Sequence, residues 1–330
     1  MHAVMAVQNE VTADWMRQSE VLGTAVGLDA NGTPALTVFI DRDATNASAV
    51  IRSLPRAIRG VGVQIELTDK FRAMGRPGGG GGGGGSGVSH TASQTPPIQL
   101  GTSGGWSKDI ANGYCCGGTL GSLVSINGTQ FILSCYHVFE EDIVPGGNGY
   151  IANNGDPIIQ PGLIDVNCSA SNAQNVGTLV KRSSLPNSNV DCSTAQVISG
   201  MVRTDGSILE IGTISKTTMA AFINQAVKKS GRTTGLSHSS VSGLNATISV
   251  TYENECAGGN AFNKTFPGQI VIANRASKFL NSGDSGSLMV EDVTTNPRPV
   301  GLLFAGSSTT AIANPIDDVL TFLGATMVGQ

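Results

Sequence analysis

The stretch NSGDSGS, residues 281–287, decides how this chain is read. Ser285 at its centre is either a nucleophile or one more serine in a glycine-rich turn. The chain carries 44 glycines among 330 residues, so a short Gly/Ser/Asp string can arise without function. Serine is a weak nucleophile at its free pKa. It needs an adjacent base, which must itself be held by an acceptor. The rest of the sequence has to supply both, and a frame to hold them.

Composition bounds the answer. The length allows about two domains. With 40% hydrophobic and 13% charged residues, the chain can build a sizeable core. A net charge of -4 without a long basic run argues against nucleic acid as a partner. Few aromatics and many glycines and β-branched residues favour strands and turns. The opening MHAVMAVQNEVTADW lacks a basic n-region and is broken by acidic residues, so it does not read as a signal peptide. No apolar run is long enough for a membrane-spanning helix, so no membrane insertion is expected, and the default location is cytoplasmic. Six cysteines are present: Cys115, Cys116, Cys135, Cys168, Cys192 and Cys256. Their spacing does not suggest zinc, and in a reducing compartment they are expected to be free, mostly buried thiols.

Residues 75–97 form a boundary. Eight consecutive glycines, Gly78–Gly85, cannot bury enough apolar surface to offset their ordering entropy, so the segment reads as a flexible linker. Before it, 1–74 reads as a small α/β domain in the order α-β-β-α-β. Val4, Val7, Val11 and Trp15 share a helix face. Asn31-Gly32 marks a hairpin, residues 46–59 suggest a second helix, and Val61, Val63, Ile65 and Leu67 alternate as in a half-buried strand. No cluster of chemical residues falls in it. Residues 98–330 read as short strands with turns, mainly β, including a hairpin around Asn127-Gly128. Helix signals there are confined to 217–228 and to NPIDDVLTFLG, where Asn314 is placed to cap.

The four histidines are His2, His90, His137 and His238. His2 lies in the first turn of the small domain and His90 in the linker. His137 ends the strand FILSCYHVF, where a rigid frame can hold it. His238 lies in the polar stretch GLSHSSVSG. On position alone His137 leads His238 as the base. Asp191 in SNVDCSTAQV stands at the edge of an apolar run, as the orienting acid or as a turn aspartate.

With these residues in view, 98–330 resembles the chymotrypsin-like (trypsin-family) serine proteases of bacterial type. His137 in LSCYHVF, Asp191 in NVDCSTA, KSGRTTG at 229–235 and Ser285 in SGDSGS follow in the chain order of that family. The resemblance implies a two-β-barrel fold and peptide-bond hydrolysis through an acyl-enzyme on Ser285. His137 would be the base and Asp191 its orienter. The backbone N–H groups of Gly283 and Ser285 would form an oxyanion hole. It implies no cofactor and no metal, and a protein or peptide as substrate. It also implies that Asp284 needs a buried cation; Lys229 is the candidate and Arg232 its rival.

Phe279, six residues before Ser285, and Phe304, Ala305, Gly306 and Ser307 are candidates for the specificity pocket. The trypsin-type acid is missing at Phe279. Cys135 and Tyr136 before His137, and LSHSS after GRTTG, depart from the family pattern. The small domain is similar to segments that precede some bacterial proteases. Its role is open between folding aid, inhibitory pro-segment and sensor for a regulatory partner, with the polyglycine tether leaving its pose unfixed. The alternatives to a selective processing protease are a catalytically inactive binding module of the same fold and a non-protease esterase.

Overall fold

The computed structural model describes residues 1–73, 87–111, 114–140, 152–252 and 262–330. The polyglycine stretch Gly78–Gly85 and Cys256 lie outside them. The chain is mainly β, with two large sheets that meet at the Ser285 loop.

The first sheet has eight strands. It is built around the hairpin Ser122–Ile126/Thr129–Ser134, paired Ile126 to Thr129. Asn127 and Gly128 take φ of 50° and 81°, the left-handed pair that a two-residue hairpin turn demands. Thr129–Ser134 then pairs with Ser193–Val197, the strand that follows Asp191. The turn to His137 is sharper than a strand end: a one-turn helix, Tyr136–Phe139, follows directly and is buried throughout.

In the second sheet six strands close on themselves: Ala226–Gly231, Leu288–Glu291, Pro299–Gly306, Thr310–Pro315, Phe262–Ala273 and Gly235–Tyr252, the last pairing back to the first. Residues 217–225, part of the expected helix at 217–228, contain none, and the rest is strand. The last residues of that stretch, Val227 and Lys228, are buried in the sheet, so strand pairing overrides the helical pattern at that end. The C-terminal helix is Ile316–Leu323. Asn314 does not cap it, because it lies in the preceding strand with its side chain turned to the interior.

The two barrels touch closely at the Ser285 loop. The Thr119 N–H donates to the Ser285 carbonyl at 2.8 Å. A Cβ on Gly121 would stand 2.0 Å from the Gly286 carbonyl oxygen, so only glycine lets the backbones meet there.

The N-terminal elements are the helix His2–Trp15, the hairpin Val21–Leu28/Pro34–Asp41, the helix Ala47–Ser53 and the strand Val61–Thr68. They do not hang free on their tether. Val21–Leu28 pairs antiparallel with the far half of Gly235–Tyr252, Gly23 opposite Ile248 and Val26 opposite Leu244, so the second barrel's sheet runs on into this segment. The polar groups of 66–69 join it to the turn after Pro299–Gly306. Ser308 donates N–H (3.0 Å) and Oγ–H (2.5 Å) to Asp69, and Thr310 donates to Glu66 at 2.8 Å. The stretch from 87 is held too. His90 is buried, with Nδ1 2.8 Å from the Gly101 carbonyl and Nε2 2.5 Å from Glu210 Oε2, so the chain is fixed well before Pro97.

The cysteines correct the expectation of free thiols. Cys115 and Cys168 form a disulfide, and Cys116 is disulfide-bonded as well. Cys135 and Cys192 are free and buried.

Candidate active site

The one-turn helix and the strand start at Ser193 bring His137 and Asp191 together. His137 Nδ1 lies 2.7 Å from Asp191 Oδ2, and both side chains are buried. Asp191 is held from several directions. Its Oδ1 accepts the Tyr136 N–H at 2.6 Å, and its own N–H donates to Asn314 Oδ1 at 2.9 Å. Its Oδ2 also accepts the Tyr252 hydroxyl at 2.7 Å. A carboxylate facing Nδ1 selects the tautomer with its proton there, which leaves Nε2 with a free lone pair. Nε2 is buried and has no hydrogen-bond partner among the described residues.

Ser285 sits on the facing loop, but its hydroxyl donates to the Phe304 carbonyl at 3.2 Å and not to His137. Serine–histidine bonds are commonly loose without substrate. The local frame ties the two sides. Cys135, which caps the His137 helix, donates its thiol to the carbonyl of Leu303 at 3.3 Å, one residue before Phe304.

The loop before Ser285 is shaped by Gly283 and Asp284. Gly283 has φ of +94°, and a Cβ there would stand 2.5 Å from Thr233 Oγ1 and 2.8 Å from Arg232 Nη1. Among the described residues no acceptor takes the Gly283 or Ser285 N–H. Asp284 is fully buried with every oxygen engaged. Oδ1 accepts the N–H groups of Thr233 (2.9 Å) and Thr234 (3.1 Å), and Oδ2 accepts Thr234 Oγ1 (2.8 Å) and the Asn281 N–H (2.9 Å). Lys229 Nζ lies 3.2 Å from Asp284 Oδ1, with neither side chain exposed. Burial pushes the Lys229 ammonium below its ordinary range, against the opposing pull of Asp284. The rival Arg232 is engaged elsewhere, in a two-pronged pair with Asp165 at 2.7 and 2.6 Å.

The structure does not bring the pocket candidates together. Phe304 packs its ring against Phe266 at 4.9 Å in the main core, and only its carbonyl reaches the site. Phe279 belongs to a separate apolar cluster and borders a cavity of about 300 Å³ with His238, Ser239 and Lys278. Ala305 and Gly306 are buried and pair antiparallel with Ala73 and Arg72, and Ser307 accepts the Thr68 hydroxyl at 2.6 Å. The strand Phe71–Ala73 is flanked on its other side by Val250 and Thr251, in parallel. The second histidine candidate, His238, pairs with Asp292 at the surface.

Cys135, His137 and Asp191 offer ligand atoms within 4.8 Å of one another, the one such cluster among the described residues. His137 Nδ1, the Cys135 thiol and both Asp191 carboxylate oxygens are already committed to the bonds described above. Tyr252 and Asn314 carry no sequence motif. Tyr252 ends the alternating run ATISVTY, and that alternation, which puts its side chain on the buried face of a long strand, is the only hint of it in the sequence.

A family model described as the Nal1 C-terminal domain matches residues 172–314. No curated protein matches the sequence. Among solved structures the chain is similar to a glutamic acid specific serine protease, with TM-score 0.47, 16% identity, and 70% of this chain and 100% of that one covered. It is similar to Protease A of Thermobifida fusca at TM-score 0.46 and 16% identity, over 71% and 99% of the two chains. The chymotrypsin of Cellulomonas bogoriensis follows at TM-score 0.44 and 19% identity, over 71% and 99%.

Proposed function

We propose that this chain is a serine endopeptidase whose own N-terminal segment holds it in check. The observation that carries the proposal is the state of the His137 ring, with Nδ1 tied to buried Asp191 at 2.7 Å and Nε2 buried and unpartnered beside the Ser285 loop. A buried ring nitrogen without a partner is costly, and a serine hydroxyl turning from Phe304 would satisfy it. In that arrangement His137 takes the Ser285 proton as Oγ attacks a peptide carbonyl. Asp191 stabilises the imidazolium, and the Gly283 and Ser285 N–H groups receive the oxyanion. His137 then protonates the leaving amine, and water releases the acyl group by the same steps in reverse order.

Restraint follows from the strand Phe71–Ala73. It lies between Ala305–Gly306 and Val250–Thr251 and runs antiparallel to the former, so its C-terminal direction points towards Phe304 and the Ser285 hydroxyl. An extended peptide whose next carbonyl is to be attacked would need this slot and this polarity. A selective processing enzyme, opened by a partner that draws the N-terminal segment away, fits this arrangement. The Cys115–Cys168 disulfide favours an oxidising compartment over the cytoplasm expected from the sequence.

The inactive binding module is favoured by one observation, the Ser285 hydroxyl bound to Phe304. A fluorophosphonate probe separates the two. Covalent labelling of Ser285 that is lost in Ser285→Ala and His137→Ala supports the peptidase. Well-folded protein that stays unlabelled, even after the Phe71–Ala73 strand has been unseated, overturns it.

A further inference from the structure

Asp191 Oδ2 is shared. It accepts both the His137 Nδ1–H and the Tyr252 O–H, each at 2.7 Å. Tyr252 is 3% exposed, and its ring stands edge-on to the His137 ring, centroids 5.9 Å apart at 73°. Behind it, Phe262 stacks at 5.0 Å and 11°, so the ring is gripped between its partner strand and the imidazole. Its backbone is fixed from one side by that Phe262 pairing, and the two residues before it pair with Phe71 and Arg72. Burial first, and then Asp191 beside it, push the phenol well above its ordinary value, so the group is a donor at all physiological pH.

Resting on the reading of His137 as the base, we infer that Tyr252 is a positioning residue of the catalytic group. Its hydroxyl anchors Asp191 from the second barrel and disperses the carboxylate charge that His137 feels. The two residues that orient each other, His137 and Asp191, both come from the first barrel, on the Tyr136–Phe139 helix and just before Ser193. Tyr252 comes from the second barrel, the barrel that carries Ser285. Its bond therefore sets the angle of the base relative to the nucleophile, as well as its tautomer. Removing the hydroxyl while keeping the ring leaves Oδ2 with one donor fewer. More negative charge then faces Nδ1–H, the imidazolium is stabilised, and a higher pH is needed to free the base. The other ionisable groups around Asp191 are the Cys135 and Cys192 thiols. Burial, then Asp191, pushes both upward, so neither changes charge over the same window.

The test uses the full chain, Tyr252→Phe and Tyr252→Leu, with two readouts. The first is the rate of fluorophosphonate labelling at Ser285 against pH. The second is the far-downfield proton resonance of His137 Nδ1–H, assigned by its loss in His137→Ala. In Tyr252→Phe the ascending limb of labelling moves up by about half a pH unit, the plateau falls about three- to tenfold, and the downfield resonance shifts. Tyr252→Leu shows the same changes together with a lower melting temperature, since only it loses the ring. If Tyr252→Phe superimposes on the parent in both the pH profile and the resonance while Ser285 still labels, the inference is overturned and the peptidase reading stands. If Ser285 labels in no variant, the peptidase reading fails instead, and the downfield resonance alone decides on Tyr252: a shift supports the anchoring bond and an unmoved signal removes it.

Discussion

Ala73 stands opposite Ala305 in an antiparallel ladder, one register step from Phe304, whose carbonyl holds the Ser285 hydroxyl. The described course of the N-terminal segment thus stops at Ala73, one register step from the residue that binds the Ser285 hydroxyl. That relationship ties the two ends of the chain into one chemical unit.

Breaking the ladder should open the site. Proline at position 72 removes a backbone N–H from a strand flanked on both sides, by Thr251 and by Gly306. Arg72→Pro is expected to raise the labelling rate of Ser285 by about tenfold, with the barrels intact by circular dichroism. An unchanged or slower rate in folded protein would remove the restraint assigned to this strand.

Lys229 and Asp284 form a pair with neither side chain exposed. Truncating one member leaves an uncompensated buried charge, which typically costs about 3–5 kcal/mol. Lys229→Met should therefore lower the denaturation midpoint sharply and abolish labelling, because Asp284 shapes the loop that carries Ser285. Chemical denaturation measures the first effect and probe labelling the second. A variant as stable and as reactive as the parent would leave Lys229 with no anchoring role.

Gly283 combines φ of +94° with crowding by Thr233 and Arg232. Gly283→Ala must either turn its peptide or displace those side chains, and either movement misaims an N–H donor. Loss of one such donor costs roughly 100-fold in rate, so labelling of Ser285 should fall by about that factor while the melting temperature moves little. A labelling rate within twofold of the parent would exclude this N–H from the site.

Docking of the N-terminal segment should depend on pH through two carboxyl groups of opposite sign. Burial alone would raise Asp69, but hydrogen bonds from Ser308 and Arg42 outweigh it, and the carboxyl sits below its ordinary 3.8. Its contribution is complete above that value and is lost as the pH falls through the docked one. Burial raises Glu66 above its ordinary 4.5, against the bond from Thr310, so its contribution is present below 4.5 and fades as the pH rises through the raised value. Protection of the Val21–Leu28 amides from hydrogen exchange, relative to the intrinsic rate, should therefore fall as the pH drops below the ordinary 3.8 of Asp69. In Asp69→Asn that acid limb should be absent. An identical acid limb in Asp69→Asn would assign it to other groups.

Part of the first sheet was legible because its signals are local. Asn127-Gly128 suits the two successive left-handed residues that a two-residue hairpin turn demands. The order His137, Asp191, Ser285 is likewise a property of the string of letters. What escaped depends on contacts between distant residues. Asn314 looks like a helix cap because a proline and two aspartates follow it, yet the Asp191 N–H, 123 residues away, takes its side chain. Tyr252 has no motif, since its role arises only when a strand end from one barrel meets a carboxylate from the other. The helix expected at 217–228 lost to strand pairing. The cysteines were misread because a reducing compartment was assumed, and the spacing of Cys115 and Cys168 is silent about which pairs meet. The docking of the N-terminal hairpin was hidden for a simpler reason: alternation marks a strand but does not say whose edge it joins.

The strand Gly235–Tyr252 is 18 residues long, and its far half is covered on one edge by Val21–Leu28. Removing that cover, by proteolysis or by truncation, would bare a row of unpaired N–H and C=O groups beside Ile248 and Leu244. Such an edge is a template for pairing with other chains. A chain without Val21–Leu28 would therefore be prone to pair with other chains along this edge, so the hairpin guards the sheet as well as extending it.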